Sequence, residues 1–290
     1  MATVGTFDGV HLGHRALLEQ LQHEAKARGA ISVALVFKEQ PRAFIKPDFN
    51  VSYISSLKTR RNILMEIGID QIIELDFGTA IQKLSAEEFV SELQDLIELK
   101  ALIVGQNAKI GFDRLGIEKL SLSKKLCNVD FIEAPTKIVN DCAVSSSAIR
   151  NAIINGHCES AAVMLGRNYS ISGVIVEGDR RGRELGFPTA NIQPDSTITV
   201  PGNGIYATIV EINGKSHKAA TSIGVRPTFE TSGVRTIEAF LLDYSGDLYG
   251  QQMEIEFISR TRSEIAFEST EKLIIQMNKD VDEVRKILAK

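Results

Sequence analysis

Two domains of different class follow from the residue pattern. An α/β unit with a doubly wound parallel sheet is expected over residues 1–167, and a small antiparallel β-barrel with a C-terminal helix over residues 168–290. Three observations predict this. The first half alternates strand-like and helix-like segments. The second half is a run of short strands cut by Gly, Pro, Asn and Asp turns. A chain of 290 residues also exceeds what one simple core usually organises.

Residues 3–7 form a short strand. Residues 14–28 form a helix with Leu17, Leu18, Leu21 and Ala25 on one face, stopped by Gly29. Residues 31–37, ISVALVF, are almost continuously apolar, as in a strand buried on both faces of a parallel sheet. A helix over 58–67, a strand over 71–77 and a helix over 85–99 follow, the last opened by a Ser85…Glu88 capping box. Strands over 101–105 and 129–134 complete the sheet, whose ligands belong at the carboxyl ends of its strands. Short helices over 145–155 and 158–165 lead to a boundary near residues 166–170. Strands over 169–177, 204–212, 217–223, 236–244 and 252–258 then suit a barrel. A helix over 270–289 carries the stripe Leu273, Ile274, Met277, Val281, Val284 and Leu288, which packs on that barrel.

Composition narrows the class. Hydrophobic content of 43% and charged content of 24% are those of a globular protein with a core. A net charge of −4 argues against a nucleic-acid binder, although Arg180, Arg181 and Arg183 form a local basic cluster suited to a phosphorylated ligand. Cys127, Cys142 and Cys158 are too far apart for a CxxC pair and odd in number, so reduced thiols in a cytoplasmic protein are expected. No signal peptide and no membrane-spanning run of about 20 apolar residues is expected. Monomer or weak homo-oligomer is the expected state.

Residues 5–14 read GTFDGVHLGH, a strand running through a tight turn into a helix. Gly9 and Gly13 let the backbone approach a phosphate, and the helix N-terminus favours an anion. His11 and His14 can face the same point and stabilise charge growing on phosphorus. A metal on the two histidines is the competing reading; it lacks a third ligand at a sensible spacing. Farther on, residues 182–192 read GRELGFPTANI. Pro188 fixes one backbone angle, Gly182 and Gly186 permit close approach, and Thr189 and Asn191 share a face of an extended segment. Hard oxygens at that spacing suit Mg²⁺ bridging nucleotide phosphates; an ordinary Pro-bearing turn is the bland alternative.

GTFDGVHLGH resembles the signature of the HxGH nucleotidyltransferase superfamily, and VSSSAIR at 144–150 resembles its ISSTxIR motif. The likeness implies AMP transfer from ATP, with Gly5, Thr6, Phe7, Asp8, Gly13, Ser146 and Ser147 at the nucleotide and His11, His14 and Arg150 as catalytic residues. Class I aminoacyl-tRNA synthetases share an HIGH-type motif, but KLSLSK at 119–124 is a poor echo of their second signature. GRELGFPTANI resembles the riboflavin kinase signature. PGNGIY at 201–206, SIGVRPTF at 222–229, EAFLLD at 238–243, DLYG at 247–250 and RSEIAF at 262–267 follow in that family's order. Nearly the whole chain thus resembles the bacterial bifunctional riboflavin kinase/FMN adenylyltransferase family.

The resemblance implies that the second domain phosphorylates riboflavin to FMN. Glu238 is then the base, Gly182, Gly186, Pro188, Thr189 and Asn191 lie at ATP and Mg²⁺, and Arg262, Glu264 and Phe267 border the flavin. The first domain would then adenylylate FMN to FAD, with Gly105 and Asn107 near the FMN. The pattern departs from the family at FKEQP (37–41), which lacks a histidine, and at GQNAKIG (105–111), where Asn107 and Ala108 replace an acid and an aromatic. Those departures leave room for a chain in which only one activity is efficient. A flavin- or nucleotide-sensing protein without turnover is a third expectation, disfavoured by the catalytic residue types present.

Overall fold

The computed structural model describes residues 1–45, 50–178, 182, 185–225 and 235–289. Arg180, Arg181, Arg183, Glu184 and residues 226–229 of SIGVRPTF lie outside the described residues. Two compact units are present, Met1–Ser146 and Ser147–Lys290.

In the first unit β1 (Ala2–Gly5) is the central strand. It pairs in parallel with β2 (Val33–Phe37) on one side and β4 (Ala101–Gly105) on the other. The outer strands β3 (Gln71–Leu75) and β5 (Asp130–Ala134) extend the sheet to the order β3-β2-β1-β4-β5. The chain winds outward from β1 to β3 and then returns to β4, which leaves a switch-point crevice between the carboxyl ends of β1 and β4.

Helix α1 (Leu12–Ala27), α2 (Pro41–Ile45), α3 (Leu57–Ile67), α4 (Thr79–Gln82) and α5 (Ala86–Ile97) connect these strands. The two-period of β2 divides its side chains between two cores. Ala34 and Val36 join Leu18 and Leu21 of α1 and Leu64 of α3, while Val33 and Leu35 join Phe89, Val90 and Leu93 of α5. Each fully buried Leu or Phe contributes about 1.5–3 kcal/mol. Ser85 caps α5 with both arms of the expected box: its Oγ accepts from Glu88 N at 3.2 Å, and the Glu88 carboxylate accepts from Ser85 N at 2.8 Å. Past β4 come α6 (Ile117–Leu120) and a hairpin of β6 (Ile138–Val139) with β7 (Cys142–Ala143), neither anticipated from the sequence.

The second unit begins with α7 (Ser146–Ile154), whose first residue groups with the first unit, and α8 (Cys158–Leu165). Strands β8 (Tyr169–Val176), β9 (Ala190–Pro194), β10 (Gly204–Ile212), β11 (Lys215–Val225), β12 (Arg235–Leu241) and β13 (Gln252–Arg262) follow. Among the described residues they close a barrel in the order β10-β11-β12-β9-β8-β13. The sequence pattern anticipates five of them; the sixth, β9, carries Ala190 and Asn191. The C-terminal helix Thr270–Ile287 packs against β10, β11 and β13, with Val281, Val284 and Leu288 gathered around Ala207 and Leu242.

Candidate active sites

The loop after β1 is held by a small set of hydrogen bonds and two unusual backbone angles. Phe7 (φ 50°) and Val10 (φ 38°) lie in the left-handed region, which non-glycine residues adopt only under constraint. Asp8 supplies that constraint. Its Oδ1 accepts from Ile54 N at 2.8 Å and Ser55 N at 3.2 Å, and Gly9 N donates to Ser55 Oγ at 3.0 Å. Ser146 Oγ closes the loop from the other side, donating to Asp8 O at 3.0 Å. Asp8 therefore acts on the loop's shape, and its carboxylate faces backbone amides.

Helix α1 starts at Leu12, two residues earlier than the sequence pattern indicates, because His11 is its N-cap. His11 Nδ1 accepts from His14 N at 3.2 Å, and the two imidazoles stack with centroids 3.6 Å apart at 13°. Phe7 meets His14 edge-on at 5.3 Å. Burial, then the neighbouring His11, holds the His14 pKa well below 6.5, so His14 is a neutral imidazole; its Nδ1 is enclosed without a partner among the described residues. Gly13 serves this stack: a Cβ there would come within 3.1 Å of His11 Cε1 and Nδ1. Beside its expected place at the nucleotide, Gly13 has this second reason to lack a side chain. Gly9 has φ +80° and Ile54 atoms 3.0 Å from any Cβ, so the turn itself requires it.

Beside this loop lies a cavity of about 260 Å³ lined by Gly5, Thr6, Phe37, Phe77, Phe89 and residues 108–112 among others. Phe37 and Phe77 meet edge-on at 5.3 Å, and Phe44 leans on Phe77 at 5.7 Å. Of the sequence-derived residues, Gly5 and Thr6 line it. Asn107 does not: it is exposed, at φ 61°, with its N–H donating to Glu133 Oε1 at 3.0 Å. Gly105, at the end of β4, is also outside the lining. The aromatic wall was missed because its phenylalanines come from separate segments: Phe37 ends β2, Phe77 follows β3 and Phe89 lies on α5. Ser147 and Arg150 lie on α7 in the second unit and form no part of the geometry described for the first.

In the second unit Glu238 on β12 stands opposite Asn191 on β9 in the ladder, and Thr189 Oγ1 donates to Glu238 Oε2 at 3.3 Å. Asn191 packs flat on Gly178, where a Cβ would lie 2.2 Å from its Nδ2. The motif folds back on itself through Phe187 N, which donates to Gly182 O at 2.7 Å, with Gly186 at φ +87° making the turn. A cavity of about 340 Å³ gathers Gly182, Thr189, Glu238, Arg262, Glu264 and Phe267. A second cavity, about 860 Å³, is lined by Pro188 and Thr189 with Glu177, Tyr244, Asp247 and Tyr249. Thr189 thus borders both.

Arg262 is tied down. Its Nε and one terminal nitrogen donate to the two oxygens of Asp280 at 2.8 and 2.6 Å, Gln276 Nε2 donates to the same carboxylate at 2.8 Å, and the guanidinium lies 6.0 Å from the Phe267 ring. Glu264 accepts from Asn203 Nδ2 at 3.3 Å. The helix residues Asp280 and Gln276 escape a reading built on motifs, because both sit inside a stripe recognised by its apolar members. As for metal, among the described residues no cluster of three His, Cys, Asp or Glu could hold an ion. Thr189 and Asn191 offer two hard oxygens, a donor set that suits a cation arriving on nucleotide phosphates rather than one caged by protein.

A parallel sheet with a constrained anion-type loop at its switch point, joined to a barrel with a paired Thr and Glu between two cavities, defines a two-module nucleotide-dependent transferase. A family model described as FAD synthetase matches residues 1–148, and one described as riboflavin kinase matches residues 165–288. The bifunctional riboflavin kinase/FMN adenylyltransferase of Pseudomonas fluorescens is 36% identical, covering 100% of this chain and 93% of that one. That of Escherichia coli strain K12 is 34% identical over 96% of this chain and 89% of its own. The chain belongs to the bifunctional riboflavin kinase/FMN adenylyltransferase family. A crystal structure described as a macrolide-efflux protein from Streptococcus pneumoniae superposes with a TM-score of 0.90 at 28% identity, covering 98% of this chain and 93% of the other. No helix among the described residues here is long and apolar enough to cross a membrane.

Proposed function

We propose that the chain makes FMN and FAD in two ATP-dependent steps, one in each unit. The observation that carries this is the convergence of Thr189, Glu238, Arg262, Glu264 and Phe267 on one cavity of the barrel unit, in a chain whose first unit carries a loop of nucleotidyltransferase type. In the barrel the 5′-hydroxyl oxygen of riboflavin attacks the γ-phosphorus of ATP. The bond from that phosphorus to the β-bridging oxygen breaks, and the hydroxyl proton goes to the Glu238 carboxylate. Thr189 orients that carboxylate through its 3.3 Å hydrogen bond. Mg²⁺ is the fitting cation at Thr189 and Asn191; when bound it neutralises phosphate charge. Pro188, Gly182 and Gly186 shape the nucleotide side, and Phe267 offers a ring face to the flavin.

In the first unit a phosphate oxygen of FMN attacks the α-phosphorus of a second ATP, and pyrophosphate leaves. That nucleophile is already an anion, so no base is needed and the residues act by positioning. His11, neutral His14 and the amides at the start of α1 stabilise charge on phosphorus. In this reading Ser146, Ser147 and Arg150 hold ATP phosphates, and Gly105 and Asn107 approach the flavin from outside the aromatic wall. The functional boundary falls near residue 167. The protein works in the cytoplasm on small molecules, as a monomer or weak oligomer and without nucleic acid.

Incubating purified protein with riboflavin, ATP and Mg²⁺ and separating the flavins by chromatography tests the reading. FMN and FAD together are expected; unchanged riboflavin would overturn it.

A further inference from the structure

We infer that Arg60, which belongs to neither motif, is a positioning residue for adenylyl transfer: it clamps the loop after β1 to the loop after β2 and so fixes the nucleotide loop against the aromatic cavity. The inference rests on the adenylyltransferase reading of the first unit. Arg60 sits in the first turn of α3 and is only 2% exposed. One terminal nitrogen donates to Thr6 O at 2.7 Å and Phe37 O at 3.1 Å, and the other donates to Lys38 O at 3.0 Å. Its guanidinium lies 5.3 Å from the Tyr53 ring, and the Tyr53 hydroxyl accepts from Gln40 N at 2.9 Å, extending the same clamp. Nε is enclosed without a hydrogen-bond partner among the described residues.

A buried cation whose hydrogen bonds end on main-chain carbonyls is an expensive way to fill a core position, and an apolar side chain of similar volume would pack there at lower cost. What the guanidinium supplies is a planar fork reaching two loops at once, which neither methionine nor lysine reproduces. The carbonyls it holds are informative. Thr6 and Phe37 both line the cavity of about 260 Å³, and Thr6 precedes the constrained Phe7 that meets His14. Release of the fork frees the nucleotide loop and the cavity wall to shift relative to each other.

The test uses the full chain and the variants Arg60→Lys and Arg60→Met. FAD formation from FMN and ATP is resolved into kcat and KM, and riboflavin phosphorylation by the same preparations reports the integrity of the other unit. A shift of about 1 Å at a reacting centre costs about 100-fold, so both variants should lose about that factor in kcat for FAD with the kinase rate unchanged. Full kcat in Arg60→Lys would overturn the inference in favour of charge alone, and full kcat in Arg60→Met in favour of packing alone. A change confined to KM would also overturn it. If the first unit of Arg60→Met melts, Arg60→Lys decides, since it keeps charge and stem. Wild-type protein that makes no FAD would sink the adenylyl-transfer reading itself, a result distinct from normal variants.

Discussion

Removing the Asp280 carboxylate should loosen the C-terminal helix from the kinase cavity. Asp280 is 7% exposed, and the side chains of Arg262 and Asp280 are 20% and 9% exposed. Two charge-assisted hydrogen bonds join them, and Gln276 adds a third to the same carboxylate. Deleting one partner of a buried pair costs about 3–5 kcal/mol, because the other charge stays behind uncompensated. Arg262 keeps some contact with water, so the lower end applies, about 3 kcal/mol. At about 2–4 °C per kcal/mol for a unit of this size, Asp280→Ala should lower the second unit's melting midpoint by about 6–12 °C. Scanning calorimetry or thermal circular dichroism measures it. The double change Arg262→Met with Asp280→Leu removes both charges and should recover most of that midpoint, while riboflavin phosphorylation stays impaired because Arg262 lines the cavity proposed for the flavin. A midpoint within about 1 °C of wild type for Asp280→Ala, or a double variant no more stable than the single one, would refute the reasoning.

Three further outcomes follow from the same geometry. Glu238→Gln keeps size and removes the proposed proton acceptor, so riboflavin phosphorylation should fall about 10²–10⁴-fold while FMN-to-FAD conversion is unchanged; parallel loss of both steps in folded protein would count against it. Gly178→Ala puts a Cβ 2.2 Å from Asn191 Nδ2, so the Asn191 side chain must turn away. Kinase kcat should drop at least about tenfold with adenylyl transfer intact, and an unaltered kinase would show that Asn191 is not needed where it lies. His14 has a folded-state pKa depressed below 6.5 by burial and then by His11. Above that pH neither state holds the proton; below it the unfolded histidine binds a proton that the folded one refuses. First-unit stability should therefore fall as pH drops through 6.5 toward the folded value, and His14→Gln should flatten that slope in urea titrations. Equal slopes would remove the assignment.

Much of this was legible in the residues, for reasons that differ by feature. ISVALVF signalled a strand buried on both faces, and Val33 through Val36 indeed divide between two cores. The Ser85…Glu88 box named its helix start to the residue. β9 was hidden because Pro188 and the glycines before it speak for a turn, and only pairing with β8 and β12 makes Ala190–Pro194 a strand. The start of α1 was misjudged because histidine is an uncommon cap; its Nδ1 does what a serine oxygen would. Arg60, Asp280 and the cavity phenylalanines were illegible for a shared reason. Their roles depend on partners 22 to 54 positions away in the case of Arg60, and no local pattern encodes that.

The two sites differ in construction because their nucleophiles differ. A hydroxyl must shed a proton as it attacks, and Glu238, the base proposed for the barrel, sits in a paired ladder and accepts from Thr189 Oγ1 at 3.3 Å. A phosphate nucleophile carries its charge already. A nearby carboxylate would repel it, and the described loop accordingly turns the carboxylate of Asp8 onto the amides of Ile54 and Ser55. The groups proposed to meet that phosphate are the His14 imidazole and the amides at the start of α1, which are hydrogen-bond donors and not carboxylates. The depressed basicity of His14 fits that proposal: an imidazole kept neutral by burial and by His11 can donate a hydrogen bond to a phosphorus-bound oxygen.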